Sequence, residues 1–118
     1  MLRSYGRNER VAAAIRREVA DLLLHELKDP RVKNATVTEV EVSADLRNAR
    51  IYISFLDDDA AAVARAMEGL KSSRGFIRSR LAGRLKLRYM PELDLRYDEL
   101  PAKSVRLEAL IKKGLGPR

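Results

Sequence analysis

The chain has 118 residues, no cysteine and a formal net charge of +7, with an isoelectric point near 10.0. That length suits one domain able to remove about two-thirds of its unfolded surface from water, and the absence of cysteine excludes disulfide frameworks and cysteine-based zinc sites. The amino terminus, Met1 to Arg7, has no apolar core of a leader peptide, and no apolar run approaches the ~18 residues of a membrane span. A soluble cytoplasmic protein is expected, with one domain over residues 1–113 and a short tail over 114–118.

From Asn8 to Leu27, Val11, Ile15, Val19, Leu22 and Leu23 recur at three- and four-residue spacing, which predicts an amphipathic helix. Asn8 is its expected N-cap, and Asp29-Pro30 ends it, because a residue before proline is pushed out of the α region. Thr36 to Val42 alternates and is rich in β-branched residues, predicting a strand. A turn from Ser43 to Asn48, with Asp45 as turn former, leads to a second strand over Arg50 to Leu56, giving an antiparallel hairpin. Ile51, Ile53 and Phe55 then share the buried face, with Tyr52 and Ser54 opposite.

Asp57-Asp58-Asp59 precedes an alanine-rich helix from Ala60 to Ser72, with Val63, Ala66, Met67 and Leu70 inward. The three carboxylates read as a cap opposing the helix dipole, not as a metal site, since adjacent side chains there diverge. After Gly75 a further helix carries Ile77, Leu81 and Leu85, with Phe76 expected in the core. Glu92 to Asp98 predicts a third strand with Leu93, Leu95 and Tyr97 inward, and a last helix is expected around Ser104 to Lys113. Three strands with helices over one face make a two-layer α+β domain of order α-β-β-α-α-β.

Charge along this chain is segregated. Lys71, Arg74, Arg78, Arg80, Arg84, Lys86 and Arg88 fall between Lys71 and Met90 with no acid among them, whereas 18–70 and 92–102 are net acidic. Such a stretch is either a solvated helical face or a polyanion-binding surface, and the missing acids favour the second. Were the helix to run on to Arg88, Arg74 and Arg78 would form one row and Arg80, Arg84 and Arg88 another. Arginine forks match phosphate oxygens. Arg3, Arg7 and Arg10 extend this surface if the first helix packs beside the break at Gly75.

A type II KH domain has this element order, and in KH domains a GXXG loop between the middle helices clamps a nucleic-acid backbone. This chain has no GXXG; Ser72-Ser73-Arg74-Gly75-Phe76-Ile77-Arg78 stands there instead. With Arg10-Val11-Ala12, Lys28-Asp29-Pro30-Arg31, Val42-Ser43-Ala44-Asp45-Leu46, Ala49-Arg50-Ile51-Tyr52-Ile53-Ser54-Phe55 and Leu87-Arg88-Tyr89-Met90-Pro91-Glu92-Leu93, it resembles the ribosome-binding factor A family of small-subunit maturation factors. The resemblance implies a KH-like domain in which an Ala-x-Gly kink replaces GXXG. Here the tripeptide is Ser73-Arg74-Gly75, which departs from that pattern at its first position; serine is small and able to cap the next helix, so the kink is expected to survive. It further implies binding to the free small (30S) ribosomal subunit, contact with 16S ribosomal RNA and neighbouring ribosomal proteins, and help in maturing the 5′ region of that RNA.

The RNA-binding residues expected are Arg74, Gly75, Arg78, Arg80, Arg84, Lys86 and Arg88 with Arg3, Arg7 and Arg10. No catalytic residue, cofactor, metal, membrane or small-molecule substrate is expected, and the protein should be a monomer. His25, the single histidine, reads as an ordinary surface or half-buried side chain, and there is no P-loop, Gly-x-Ser-x-Gly or His-Glu-x-x-His. A KH module for RNA in general and a protein-interaction adaptor are the alternatives. Reversing the charge of Arg78 and Arg84 together is expected to cripple RNA binding, spare an adaptor and leave the fold intact.

Overall fold

A computed structural model of the protein describes residues 6–100. Arg3, the helix expected around Ser104 to Lys113 and the tail over 114–118 lie outside the described residues. The elements are α1 (Arg7–His25), β1 (Ala35–Val42), β2 (Asn48–Phe55), α2 (Ala60–Ser72), α3 (Arg74–Leu85) and β3 (Glu92–Tyr97). The sheet order is β1-β2-β3, with β2 antiparallel to β1 and parallel to β3. Parallel pairing needs a long crossover, and α2 and α3 supply it.

The sheet's inner face carries Val37, Val42, Ala49, Ile51, Ile53, Phe55, Leu93 and Leu95, and the three helices cover it with Ile15, Val19, Leu22, Ala66, Leu70, Ile77 and Leu81. Tyr97 stacks on Phe55, centroids 6.1 Å apart. The outer face is polar, with Arg96 Nε 2.8 Å from an Asp94 carboxylate oxygen. Val37 and Val42 are five apart, so a regular strand would send them to opposite faces. A bulge resolves the conflict: Val37 pairs with Ile53 and Glu39 with Tyr52, leaving Thr38 as the extra residue. The Thr38 hydroxyl donates to Asp98 Oδ2 at 2.6 Å, fastening the bulge to the end of β3.

Three local expectations are corrected. Gly6, not Asn8, occupies the N-cap of α1, and Asn8 Nδ2 donates instead to the Val42 carbonyl at 3.1 Å. Of the three aspartates before α2 only Asp59 caps it, accepting from the amides of Ala61 and Ala62, while Asp57 accepts from the Asp59 amide. Phe76 is not core: it is 38% exposed, and the Arg80 guanidinium lies over its ring at 5.1 Å. Ile77, the next residue, takes the buried position.

The loop after α1 docks on α2 at Gly69. A Cβ there would meet Val32 Cγ2 at 3.0 Å, Asp29 Oδ2 at 3.1 Å and Arg31 Cβ at 3.3 Å. Arg31 Nη2 bonds the Asp29 carboxylate at 2.7 Å and Ser72 Oγ at 3.1 Å, so the loop is held and yields little. Gly69→Ala should therefore cost about 1 kcal/mol net, its crowding exceeding the helix-propensity gain. Gly83 is also helical but has nothing within 4 Å of a Cβ, so Gly83→Ala should stabilise by about 0.5–1 kcal/mol. Urea denaturation of the two variants checks the opposite signs.

Candidate nucleic-acid interface

A single residue separates α2 from α3. Ser73, at φ −93° and ψ 3°, donates its amide back to Gly69 and Leu70 and accepts from the Ile77 amide, so one residue closes α2 and opens α3. The expected kink at Ser73-Arg74-Gly75 is present. The serine hydroxyl makes no cap hydrogen bond, however, which leaves the first amides of α3 without a side-chain acceptor from the cap. Gly75 has open space above its Cα, and Lys71 and Arg74 are exposed on either side of Ser73. Helix N-terminal amides without a side-chain cap, beside exposed cations, suit an anion.

The remaining basic residues do not continue this surface as two rows. α3 ends at Leu85 because Lys86 adopts a left-handed conformation, φ 52°, with its amide bonded to the Ala82 carbonyl. Arg88 therefore lies off the helix, over the Tyr89 ring at 5.5 Å, and the expected alignment with Arg80 and Arg84 does not form. Arg78 is turned to the loop before β3, where it donates to the carbonyls of Met90 at 3.1 Å and Pro91 at 3.4 Å.

Arg84 is the most engaged of the group. Its guanidinium bonds Asp21 at 2.7 Å and Glu18 at 3.1 Å, both from α1, and Glu26 just past its end, and its side chain is 25% exposed. Arg80 adds an ion pair to Glu26 at 3.7 Å. Much of the positive charge of Arg80 and Arg84 is thus neutralised within the protein. The signal was present in the sequence as acids at 18, 21 and 26 of one helix, a spacing that puts them on neighbouring turns, but the partner lay more than fifty residues away.

These ion pairs leave a mark on protonation. The Arg84 hydrogen bond, followed by that of His25, holds the Asp21 carboxyl below its ordinary value, and the three acids, Asp21 first, hold Arg84 above its own. Hydrogen bonds from Arg31 lower Asp29, and those from Ser43 and the Arg47 amide lower Asp45. A carboxyl whose folded pKa is depressed stabilises above its unfolded pKa, and that contribution is lost as pH falls through the folded value. Stability should therefore decline below about pH 4. Arg84→Gln should flatten this decline, because the orphaned acids of α1 repel one another less once protonated; urea midpoints measured against pH test it.

The ion pairs also fix where α1 lies. Glu26 faces Arg80, whereas Val11 and Ala14 line one hollow with Leu85, so α1 runs along α3 in the opposite direction. Its start, with Arg7 and Arg10, sits beside Leu85 and Leu87 and not at the kink. The expected extension of the kink surface by Arg7 and Arg10 is corrected: cations gather at two separate ends of α3. Lys71 and Arg74 stand at one, and Arg7, Arg10, Lys86 and Arg88 stand at the other, with the acid-paired Arg80 and Arg84 between them. Arg47, in the turn between β1 and β2, joins the second group with Tyr89 along a shared cleft. Neither was singled out in the sequence, although Arg88-Tyr89 places a cation next to an aromatic ring in a segment without acids.

A two-layer domain of this element order, with a one-residue kink where a GXXG loop would stand, defines the type II KH-like class. Residues 7–111 match the model of the family described as ribosome-binding factor A. The chain belongs to that family. A ribosome-binding factor A from Chromohalobacter salexigens is 43% identical over 115 residues, covering 97% of this chain and 88% of that one. The solution structure of a putative ribosome-binding factor A from Thermotoga maritima superposes with a TM-score of 0.67 at 31% identity, over 84% of this chain and 92% of the other. A ribosome-binding factor A model from Thermus thermophilus, fitted into a cryo-EM map of a 30S complex, shares the fold at a TM-score of 0.63 and 24% identity, covering 75% and 91%.

Proposed function

We propose that this chain binds the free small (30S) ribosomal subunit late in its assembly, contacts 16S ribosomal RNA and neighbouring ribosomal proteins, and assists maturation of the 5′ region of that RNA. The action is one of binding, carried out in the cytoplasm by a single-domain monomer, with no catalytic step. The observation that carries this reading, beside family membership, is the kink: Lys71 and Arg74 are exposed around the opening of α3, and Gly75 leaves its backbone approachable. A phosphate there would meet helix amides and two cations together. Affinity then comes from phosphates and specificity from the shape of a folded RNA site.

The test is gradient co-sedimentation of the tagged protein with ribosomal particles at low and raised salt. Co-migration with free small subunits, absent from translating ribosomes and lost at high salt, is the expected result. Protein remaining at the top of the gradient at both salts would overturn the reading in favour of a general RNA-binding module. Binding to the particles that ignores salt would point to a protein adaptor.

A further inference from the structure

We propose that the cleft between the start of α1, the β1–β2 turn and the loop before β3 receives an unpaired RNA nucleotide, its base stacked on Tyr89 and its phosphates met by Arg7, Arg47 and Arg88. The inference rests on the ribosome-binding reading and adds a second contact at the end of α3 opposite the kink. The cleft has a volume of about 710 Å³. Tyr89 is 76% exposed, whereas the other described aromatic rings are buried or half-buried, or, like Phe76 at 38%, already covered by an arginine. A ring held that far into solvent is an open stacking platform, because every base has a π-face. Arg88 already lies against this ring at 5.5 Å, so a base stacked on the other face of the tyrosine would have a guanidinium near its backbone.

The electrostatics agree. Arg7 and Arg88 form no ion pair with an acid among the described residues, in contrast to Arg80 and Arg84, and Arg47, though its charge acts on Asp45, pairs with no described acid within 4 Å. Two acids reach the cleft, Asp45 and Glu92. Asp45 is engaged by the Ser43 hydroxyl at 2.7 Å and the Arg47 amide at 3.0 Å, and Glu92 lies at the exposed start of β3. The apolar floor, Val11, Leu46 and Met90, suits the face of a base or its ribose ring. An acidic peptide would be served by the cations but would leave the exposed ring unused. RNA uses both.

The chain has no tryptophan, so Tyr89→Trp places a single reporter in the cleft of the full-length protein. Its fluorescence should be quenched by a short oligouridine and by purified small subunits, since stacking quenches indole emission. Tyr89→Ala should weaken small-subunit binding about tenfold with an unchanged melting temperature, and Tyr89→Phe should bind like the parent. Small subunits that bind the Trp variant without quenching, or Tyr89→Ala binding as tightly as the parent, would overturn the cleft assignment and leave the ribosome-binding reading standing. Failure of the parent protein to bind small subunits would strike that reading itself. Cross-linking from a benzophenone amino acid at position 89 should yield an RNA adduct; an adduct to a ribosomal protein alone would also overturn the proposal.

Discussion

Replacing Lys71 and Arg74 together by glutamate should lower small-subunit affinity on the order of a hundredfold and leave the melting temperature within about 2 °C of the parent. Both side chains are exposed and neither forms an ion pair with a described acid, so their charges are available to a ligand. Two lost phosphate contacts should flatten the dependence of log affinity on log salt by about 1.4–1.8. The fold survives because the helix-dipole effects oppose each other: Lys71 lies in the last turn of α2, where a carboxylate is unfavourable, and Arg74 opens α3, where one is favourable. Subunit binding measured across a salt series, beside thermal melts, reads both quantities. Unchanged affinity and slope would remove the kink from the interface.

The same experiment on Arg78 and Arg84 would mislead, contrary to what the sequence suggests. Arg84→Glu adds a fourth acid where Glu18, Asp21 and Glu26 already converge, and loss of Arg78 frees the carbonyls of Met90 and Pro91. Removing one partner of such a cluster leaves the others uncompensated. Reduced binding by that variant would report damage to the packing of α1 on α3 as readily as loss of an RNA contact.

Leu81→Ala should destabilise by about 3 kcal/mol and lower the melting temperature by roughly 12 °C. α3 is rich in arginine and presents only Ile77 and Leu81 as fully buried side chains, with Leu85 half-buried. Half of its anchorage would go with one side chain. Leu81 lies one turn before Arg84 and Leu85, the residues that meet α1. The cavity would therefore open where α3 is pinned, and the surrounding side chains, being part of two helices and a sheet, cannot collapse freely to fill it. Urea denaturation should show a lower midpoint with an unchanged slope. A loss below about 1 kcal/mol would mean that the ion pairs of Arg84 hold α3 more than its apolar face does.

Element order, the buried stripe of each helix and the total charge were determined by the sequence, because burial of apolar side chains imposes a period that single residues display. Ile15, Val19 and Leu22, or Ile51, Ile53 and Phe55, declare their face without reference to anything distant. A break between the two middle helices was legible in the run of small residues, but it falls at Ser73, and Gly75, expected to make it, lies inside α3. The tertiary structure alone decided how the charges are used. Arg84 and Arg74 are alike in the sequence, yet one is bound by acids up to 66 residues away and the other faces solvent. Phe76 and Ile77 compete for one buried position, and the rotation of α3 against the sheet settles the winner. The bulge at Thr38, in a segment that reads as plain alternation, was decided by β2 and Asp98 opposite it. Hydrophobic periodicity is local and additive, whereas the worth of a charge depends on every group that comes within a few ångströms of it once the chain is folded.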